Sequence, residues 1–155
     1  MYHKKIDFLI ITIIIAGVFL RFYQLDWGGG YFFHPDERNI ASLITSLSQK
    51  NGLDFWLQGT FAYGSIIAYV AFFIRPFFEL FGICNQTSGF DCSILTLRTI
   101  SAISSSLSLF LILIISNKFL NNFKVFALFL TAFSPGLIQQ AHFGTFESTL
   151  ILLYL

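Results

Sequence analysis

Hydrophobic positions gather into stretches long enough for helices that cross a bilayer, with polar segments between them. Between Asp7 and Arg21 stand thirteen uncharged residues, and the apolar run resumes through Phe22, Tyr23 and Leu25. Counted to Leu25 it meets the roughly 20 residues that a hydrocarbon core requires, so the pattern predicts a first span over about residues 6–25. Arg21 and the aromatic pair beside it can snorkel to the headgroups. A cleaved signal peptide is the alternative, because Lys4-Lys5 before an apolar core fits one, but no small-x-small site follows. A second span is predicted over about 95–117, since residues 99–117 carry no charge and are bounded by Arg98 and Lys118. Its first half, Ser101-Ala-Ile-Ser-Ser-Ser-Leu-Ser108, is rich in small residues that let helices approach closely. The third span, about 124–141, contains Pro135-Gly136 and should kink or end there. A fourth starts near Ser148 and is cut off within Leu150-Ile-Leu-Leu-Tyr-Leu155, so the chain reads as an N-terminal fragment.

Residues 55–74 are also without charge, yet Gln58, Gly59, Thr60, Gly64 and Ser65 dilute them. A re-entrant or interfacial helix suits that composition better than a crossing. With no crossing there, Lys4, Lys5, Lys118 and Lys124 fall on one side, which the positive-inside rule makes cytoplasmic. The first loop, 26–93, then lies outside, with six acidic residues against three basic ones. Within it Ile40, Leu43, Ile44 and Leu47 recur at helical spacing, the mark of an amphipathic helix lying on the membrane. The predicted class is therefore all-α: a polytopic transmembrane helical protein whose long extracytoplasmic loop carries juxtamembrane helices.

Composition agrees with a lipid environment. The 155 residues are 55% hydrophobic and 11% charged, where a soluble domain carries about 25% charged residues. A net charge of +1 without a basic cluster excludes nucleic-acid binding as a main function. Cys84 and Cys92 flank a turn-like polar stretch and are either a disulfide of an oxidising compartment or two free thiols. Their spacing is poor for zinc. Asn85-Gln86-Thr87 is formally a glycosylation acceptor, a short pattern that needs a eukaryotic lumen.

The chemistry lies at the ends of the predicted spans. Past the first comes Trp27-Gly-Gly-Gly-Tyr-Phe-Phe-His-Pro-Asp-Glu-Arg-Asn39, which sets Asp36 and Glu37 at the start of the amphipathic helix. Helix capping by Asp36, with Glu37 favouring the dipole, is the structural alternative to a catalytic use. A second polar cluster, Gln139-Gln-Ala-His-Phe-Gly-Thr-Phe-Glu-Ser148, separates two apolar segments. If the third span runs outward, Glu147 and His142 join Asp36 and Glu37 at one membrane face. Such a set can do general-base chemistry, hold a divalent cation through Asp36 and Glu147, or pair with Arg21, Arg38 and Arg98.

The order of these features resembles the membrane-embedded GT-C glycosyltransferases: Leu20-Arg21-Phe-Tyr-Gln-Leu25, His34-Pro-Asp-Glu37, Phe61-Ala-Tyr-Gly-Ser65, Leu97-Arg98 before a small-residue helix, Ser134-Pro135, and Gln140-Ala-His-Phe-Gly-Thr-Phe-Glu-Ser148. More narrowly it is similar to the family 39, phospholipid-carrier-dependent branch, which includes protein O-mannosyltransferases and aminoarabinose transferases of lipid A. The resemblance implies a polyprenyl-phosphate-sugar donor, a lipid, glycan or protein acceptor, and inversion at the anomeric carbon. It implies a bacterial or archaeal plasma membrane with the active site outside. By that resemblance the catalytic base falls on Asp36, with Glu37 orienting the acceptor or the site. The second acidic position, commonly Asp in the family, falls on Glu147. Arg21 and Arg98 lie at the outer ends of their spans, where they either contact a donor phosphate or serve as snorkelling anchors. Two other classes compete: a transporter, suggested by intramembrane charge and a broken helix, and a structural membrane component without activity.

Overall fold

The computed structural model describes residues 2–49, 66–84, 88–120 and 123–155. Among them every regular element is an α-helix: α1 (Tyr2–Phe22), α2 (Pro35–Gln49), α3 (Ile66–Leu80), α4 (Gly89–Phe119), α5 (Lys124–Ala132), α6 (Pro135–His142) and α7 (Glu147–Tyr154). One of these, α4, is long and apolar enough to cross a membrane. At about 1.5 Å per residue its 31 residues reach about 46 Å, beyond the roughly 30 Å of a hydrocarbon core.

It starts several residues before the predicted boundary at 95 because its N-terminus carries a capping box. Asp91 N–H donates to Ser88 Oγ at 3.1 Å while Ser88 N–H donates to Asp91 Oδ2 at 3.3 Å, satisfying two otherwise orphaned donors. Just before it, Cys84 and Cys92 are joined as a disulfide with Cα atoms 5.5 Å apart, tying the chain after α3 to the first turn of α4. Replacing both cysteines by Ser should lower stability by about 2–3 kcal/mol through the freed unfolded chain. Thermal unfolding of the variant beside the wild type, with and without reductant, checks this; equal melting temperatures would show that the staple is idle.

The length of α4 allows it to serve two cores. Its first turns pack with α2 and α3 around Ile40, Ile44, Ala68, Ala71, Ile94 and Leu97. Its second half packs with α1 and α5 around Ile10, Ile13, Leu109, Leu128 and Ala132. In this second core Gly17 sets the helix spacing, since a Cβ there would stand 2.9 Å from Leu109 Cδ1 and 3.0 Å from Ala132 Cβ. Gly17→Leu should therefore destabilise the protein by about 1–3 kcal/mol or more as the three helices are forced apart, read as a lowered melting temperature. A melting temperature unchanged by the substitution would contradict the close packing.

The predicted third helix is broken in two at Phe133 and Ser134. Pro135 has no N–H for the carbonyl of Thr131, so α5 ends at Ala132 and α6 restarts with Pro135 in its first turn. Arg21 takes up the released carbonyls: Nη2 donates to Thr131 O and Nη1 to Ala132 O, each at 3.0 Å, with Gly17 O at 2.8 Å from Nη1 and Ser105 Oγ at 2.8 Å from Nε. A guanidinium at the C-terminus of α5 also faces the negative end of that helix's dipole.

Helix α3 reaches beyond the predicted segment, through Arg75 and Pro76 to Leu80, with Arg75 paired to Glu79 at 2.8 Å. Its 15 residues span only about 22 Å, short of a hydrocarbon core. Ile66, Val70, Phe73, Phe77 and Leu80 form an exposed stripe opposite buried Ala68 and Ala71. The expectations for residues 55–65, including the Phe61-Ala-Tyr-Gly-Ser65 motif, and for Asn85-Gln86-Thr87 lie outside the described residues.

Candidate functional site

The first turn of α2 carries both Asp36 and Glu37, where the helix dipole favours carboxylates, and Pro35 opens the helix with φ already suited to it. Adjacent helical side chains diverge by about 100°, and the divergence separates the two acids completely. Glu37 continues the buried stripe of Ile40, Ala41 and Ile44 and is 0% exposed. Asp36 falls at the edge of that stripe, partly exposed, and accepts no hydrogen bond from any described residue. Among the described residues Asp36 therefore makes no side-chain cap; its carboxylate is available to a ligand.

Glu37 is fully engaged. Its Oε1 accepts from Arg98 Nε at 2.7 Å and from Gly144 N–H at 2.7 Å, and its Oε2 accepts from Arg98 Nη2 at 2.8 Å. Arg98 donates through Nη1 to the carbonyls of Leu25 at 2.8 Å and Trp27 at 2.9 Å, with its guanidinium 4.8 Å from the Trp27 ring centroid. Four chain segments thus meet at one ion pair: the exit from α1, the start of α2, the first half of α4 and the α6–α7 turn. Bidentate pairing and cation–π stacking are the uses for which Arg suits better than Lys. Only glycine fits at 144, where a Cβ would lie 2.7 Å from Leu97 Cβ and 2.9 Å from Glu37 Oε1.

This geometry changes the roles expected of several residues. Glu37, expected to be catalytic, has no surface to offer a substrate, because its oxygens are spent on Arg98 and Gly144. Arg21 and Arg98 were expected to bind substrate or to snorkel, yet they are 0% and 1% exposed, their guanidinium groups turned inward onto backbone carbonyls and Glu37. They hold the helices together. His142 sits at the end of α6 with Nδ1 2.7 Å from Ile138 O and Nε2 2.8 Å from Tyr23 O, and Trp27 Nε1–H donates to its carbonyl at 3.0 Å. Both ring nitrogens face backbone, so this residue ties α6 to the chain leaving α1.

The contact between Glu37 and Gly144, with the His34 ring 4.6 Å from that of Phe143, lays the entry to α2 against the α6–α7 turn. Along these two segments several polar atoms are buried without a protein partner: His34 Nδ1, Thr145 Oγ1, Glu147 Oε2 and Ser148 Oγ. Buried polar groups are nearly always satisfied by protein, water or ligand, so these atoms keep hydrogen-bonding capacity for water or a ligand. Glu147 begins α7 much as Asp36 begins α2, in a first turn. Ser101 Oγ donates to Thr145 O at 3.0 Å and Ser104 Oγ lies 3.1 Å from Thr149 Oγ1, holding this turn on the serine-rich face of α4. His34, Thr145 and Ser148 were not among the residues singled out from the sequence for this site. The signal for Thr145 and Ser148 was the polar composition of 144–148 between two apolar helices, and for His34 its place in His34-Pro-Asp-Glu37. Among the described residues no group of three His, Cys, Asp or Glu side chains is placed to hold a metal ion. No protein-family model, curated protein or solved structure matches the chain.

Proposed function

We propose that this chain belongs to a polytopic membrane glycosyltransferase of the GT-C type, which moves a sugar from a polyprenyl-phosphate-linked donor to an acceptor hydroxyl at the extracytoplasmic face. The observation that carries the reading is the carboxylate of Asp36 without a hydrogen-bond partner, one residue before the Glu37 that bonds Gly144 N–H of the α6–α7 turn, where polar atoms of Thr145, Glu147 and Ser148 are also unsatisfied. The ordered motif series that resembles the family 39 branch supports it further. In this reading Asp36 takes the proton of the acceptor hydroxyl, the oxygen attacks the anomeric carbon with inversion, and the bond to the phosphate oxygen breaks, leaving the lipid phosphate with the electron pair. Glu147, partly exposed at the start of α7, orients the acceptor, and Glu37, locked by Arg98, fixes the rotation of the helix that aims Asp36.

In this reading α1, α4 and the α5–α6 pair cross the bilayer, while α2 and α3 stay on the outer side, where the disulfide suits an oxidising compartment. The two clues to a transporter, a buried charge and a broken helix, account for each other, because Arg21 caps the carbonyls released at Pro135.

The direct test is transfer from a panel of radiolabelled polyprenyl-phosphate sugars by the complete protein in proteoliposomes. Transfer of at least one sugar supports the reading, and absence of transfer from the whole panel with lipid, glycan and peptide acceptors overturns it. Within that assay Glu147→Gln should raise the acceptor KM about tenfold while kcat falls less, since an orienting carboxylate acts mainly in binding. An unchanged acceptor KM would remove Glu147 from the site.

A further inference from the structure

The loop between α1 and α2 presents exposed aromatic rings in an ordered series. Tyr31 is 72% and Phe33 67% exposed, and their ring centroids lie 6.2 Å apart at 27°. Phe33 in turn stacks on Trp27 at 6.2 Å and 20°, and Trp27 meets Phe143 at 5.7 Å, which touches the His34 ring. Exposed aromatics on a loop are usually mobile, but this array is built on a fixed base. Trp27 is held by its Nε1–H bond to His142 O and by the Arg98 guanidinium over its face. The turn that projects the rings is made by Gly28, Gly29 and Gly30, with φ of 99°, 55° and 88°, a region that side-chain-bearing residues rarely adopt. Gly28 O accepts from Tyr31 N–H at 2.9 Å, and a Cβ on Gly28 would stand 2.5 Å from Tyr31 O.

The chemistry at either end of this array narrows what it can hold. The rings offer flat apolar faces, and the loop then runs within three residues from Phe33 to the unsatisfied His34 Nδ1 and the free carboxylate of Asp36. The same loop, through Gly29, Gly30 and Phe32, walls a cleft of about 290 Å³ that Asp26 also lines. A ligand matching both halves has an apolar face of C–H groups and a rim of hydroxyls, which is the surface of a sugar ring. A headgroup interface would gain from exposed aromatics in any arrangement and does not require them stacked in series and joined to unsatisfied polar groups.

We propose that the glycine loop 27–33 is a carbohydrate-stacking subsite in which Tyr31 and Phe33 receive the apolar face of a sugar ring beside Asp36. The proposal rests on the glycosyltransferase reading for the reaction but not for the binding. The ring can belong to the donor's sugar or to a glycan acceptor, and kinetics separate the two.

The test uses the complete protein in nanodiscs with Tyr31→Leu/Phe33→Leu, which keeps apolar surface but removes the aromatic faces, and with Phe33→Trp, which keeps a face and adds a fluorophore. Free methyl glycosides of mannose, glucose and galactose serve as probes by saturation-transfer NMR. At least one should bind wild type and Phe33→Trp, and its affinity should fall about five- to tenfold in the double Leu variant. In the transfer assay that variant should raise the KM of one substrate by a similar factor with kcat within about twofold; a donor KM shift assigns the ring to the donor, an acceptor KM shift to the acceptor. If the wild type transfers no sugar but glycoside binding is still lost in the Leu variant, the transferase reading fails and the subsite stands. If the Leu variant binds glycosides and turns over as wild type does, or if no glycoside binds wild type, the subsite is overturned. Quenching of the Phe33→Trp fluorescence by brominated lipids, without response to glycosides, assigns the rings to the bilayer interface instead.

Discussion

Asp36→Asn in the complete protein is expected to lower turnover by about a hundredfold or more, the usual scale for a positioned general base, while donor binding and the melting temperature stay near wild type. The expectation follows from how differently the two acids of α2 are placed. Asp36 has no hydrogen-bond partner among the described residues, so its replacement by an isosteric amide breaks no internal contact. A loss of activity without loss of stability is the signature of chemistry rather than architecture. Single-turnover kinetics in a donor-saturated assay reads the step directly. Normal turnover in that assay would leave Asp36 only a favourable charge at a helix start, worth a few tenths of a kcal/mol to about 1 kcal/mol.

Arg98→Ala is expected to give the largest loss of stability, about 3–5 kcal/mol, because it strands the Glu37 carboxylate in a buried site with only the Gly144 N–H left to it. The carbonyls of Leu25 and Trp27 lose their donor at the same time, and the Trp27 ring loses the cation over its face. Thermal unfolding in detergent should show this as a large fall in melting temperature, and proteolysis should become fast near the α6–α7 turn. Glu37→Gln/Arg98→Met should be milder than Arg98→Ala, since removing both charges costs less than leaving one unpaired. If the single and double variants melt alike at the wild-type temperature, the ion pair is not what joins the four segments.

The contrast between these two expectations shows where a sequence becomes uninformative. The helices were legible because their causes are local. An uncharged run of sufficient length, the Ile40, Leu43, Ile44 and Leu47 period, and a proline inside an apolar stretch act over one or a few turns, and the structure has helices α1, α2 and α4 and a break before Pro135 at those places. The early start of α4 was also written locally, as Ser88 and Asp91 three residues apart, though the charge-free count overlooked it. Glu37's burial had a local trace as well, since it stands three residues before Ile40 and four before Ala41, on the apolar face of its own helix. By itself, then, the sequence determined the helical class, the helix break at 133–134 and the divergence of Asp36 from Glu37.

Only the tertiary structure decided what the charged residues do. Whether an arginine at a helix end snorkels, binds phosphate or caps another helix depends on which acceptors come within about 3 Å, and those lie far along the chain. Arg21 meets carbonyls 110 and 111 residues away, and Arg98 meets a carboxylate 61 residues away. His142 is likewise committed by Tyr23, 119 residues distant. The long-range reach of a side chain follows from packing, which sums many weak, non-directional apolar contacts over the whole molecule. Periodicity can say which face of a helix is buried, but it cannot say which polar group of another helix will stand opposite, and for a buried charge that partner is the whole of its function.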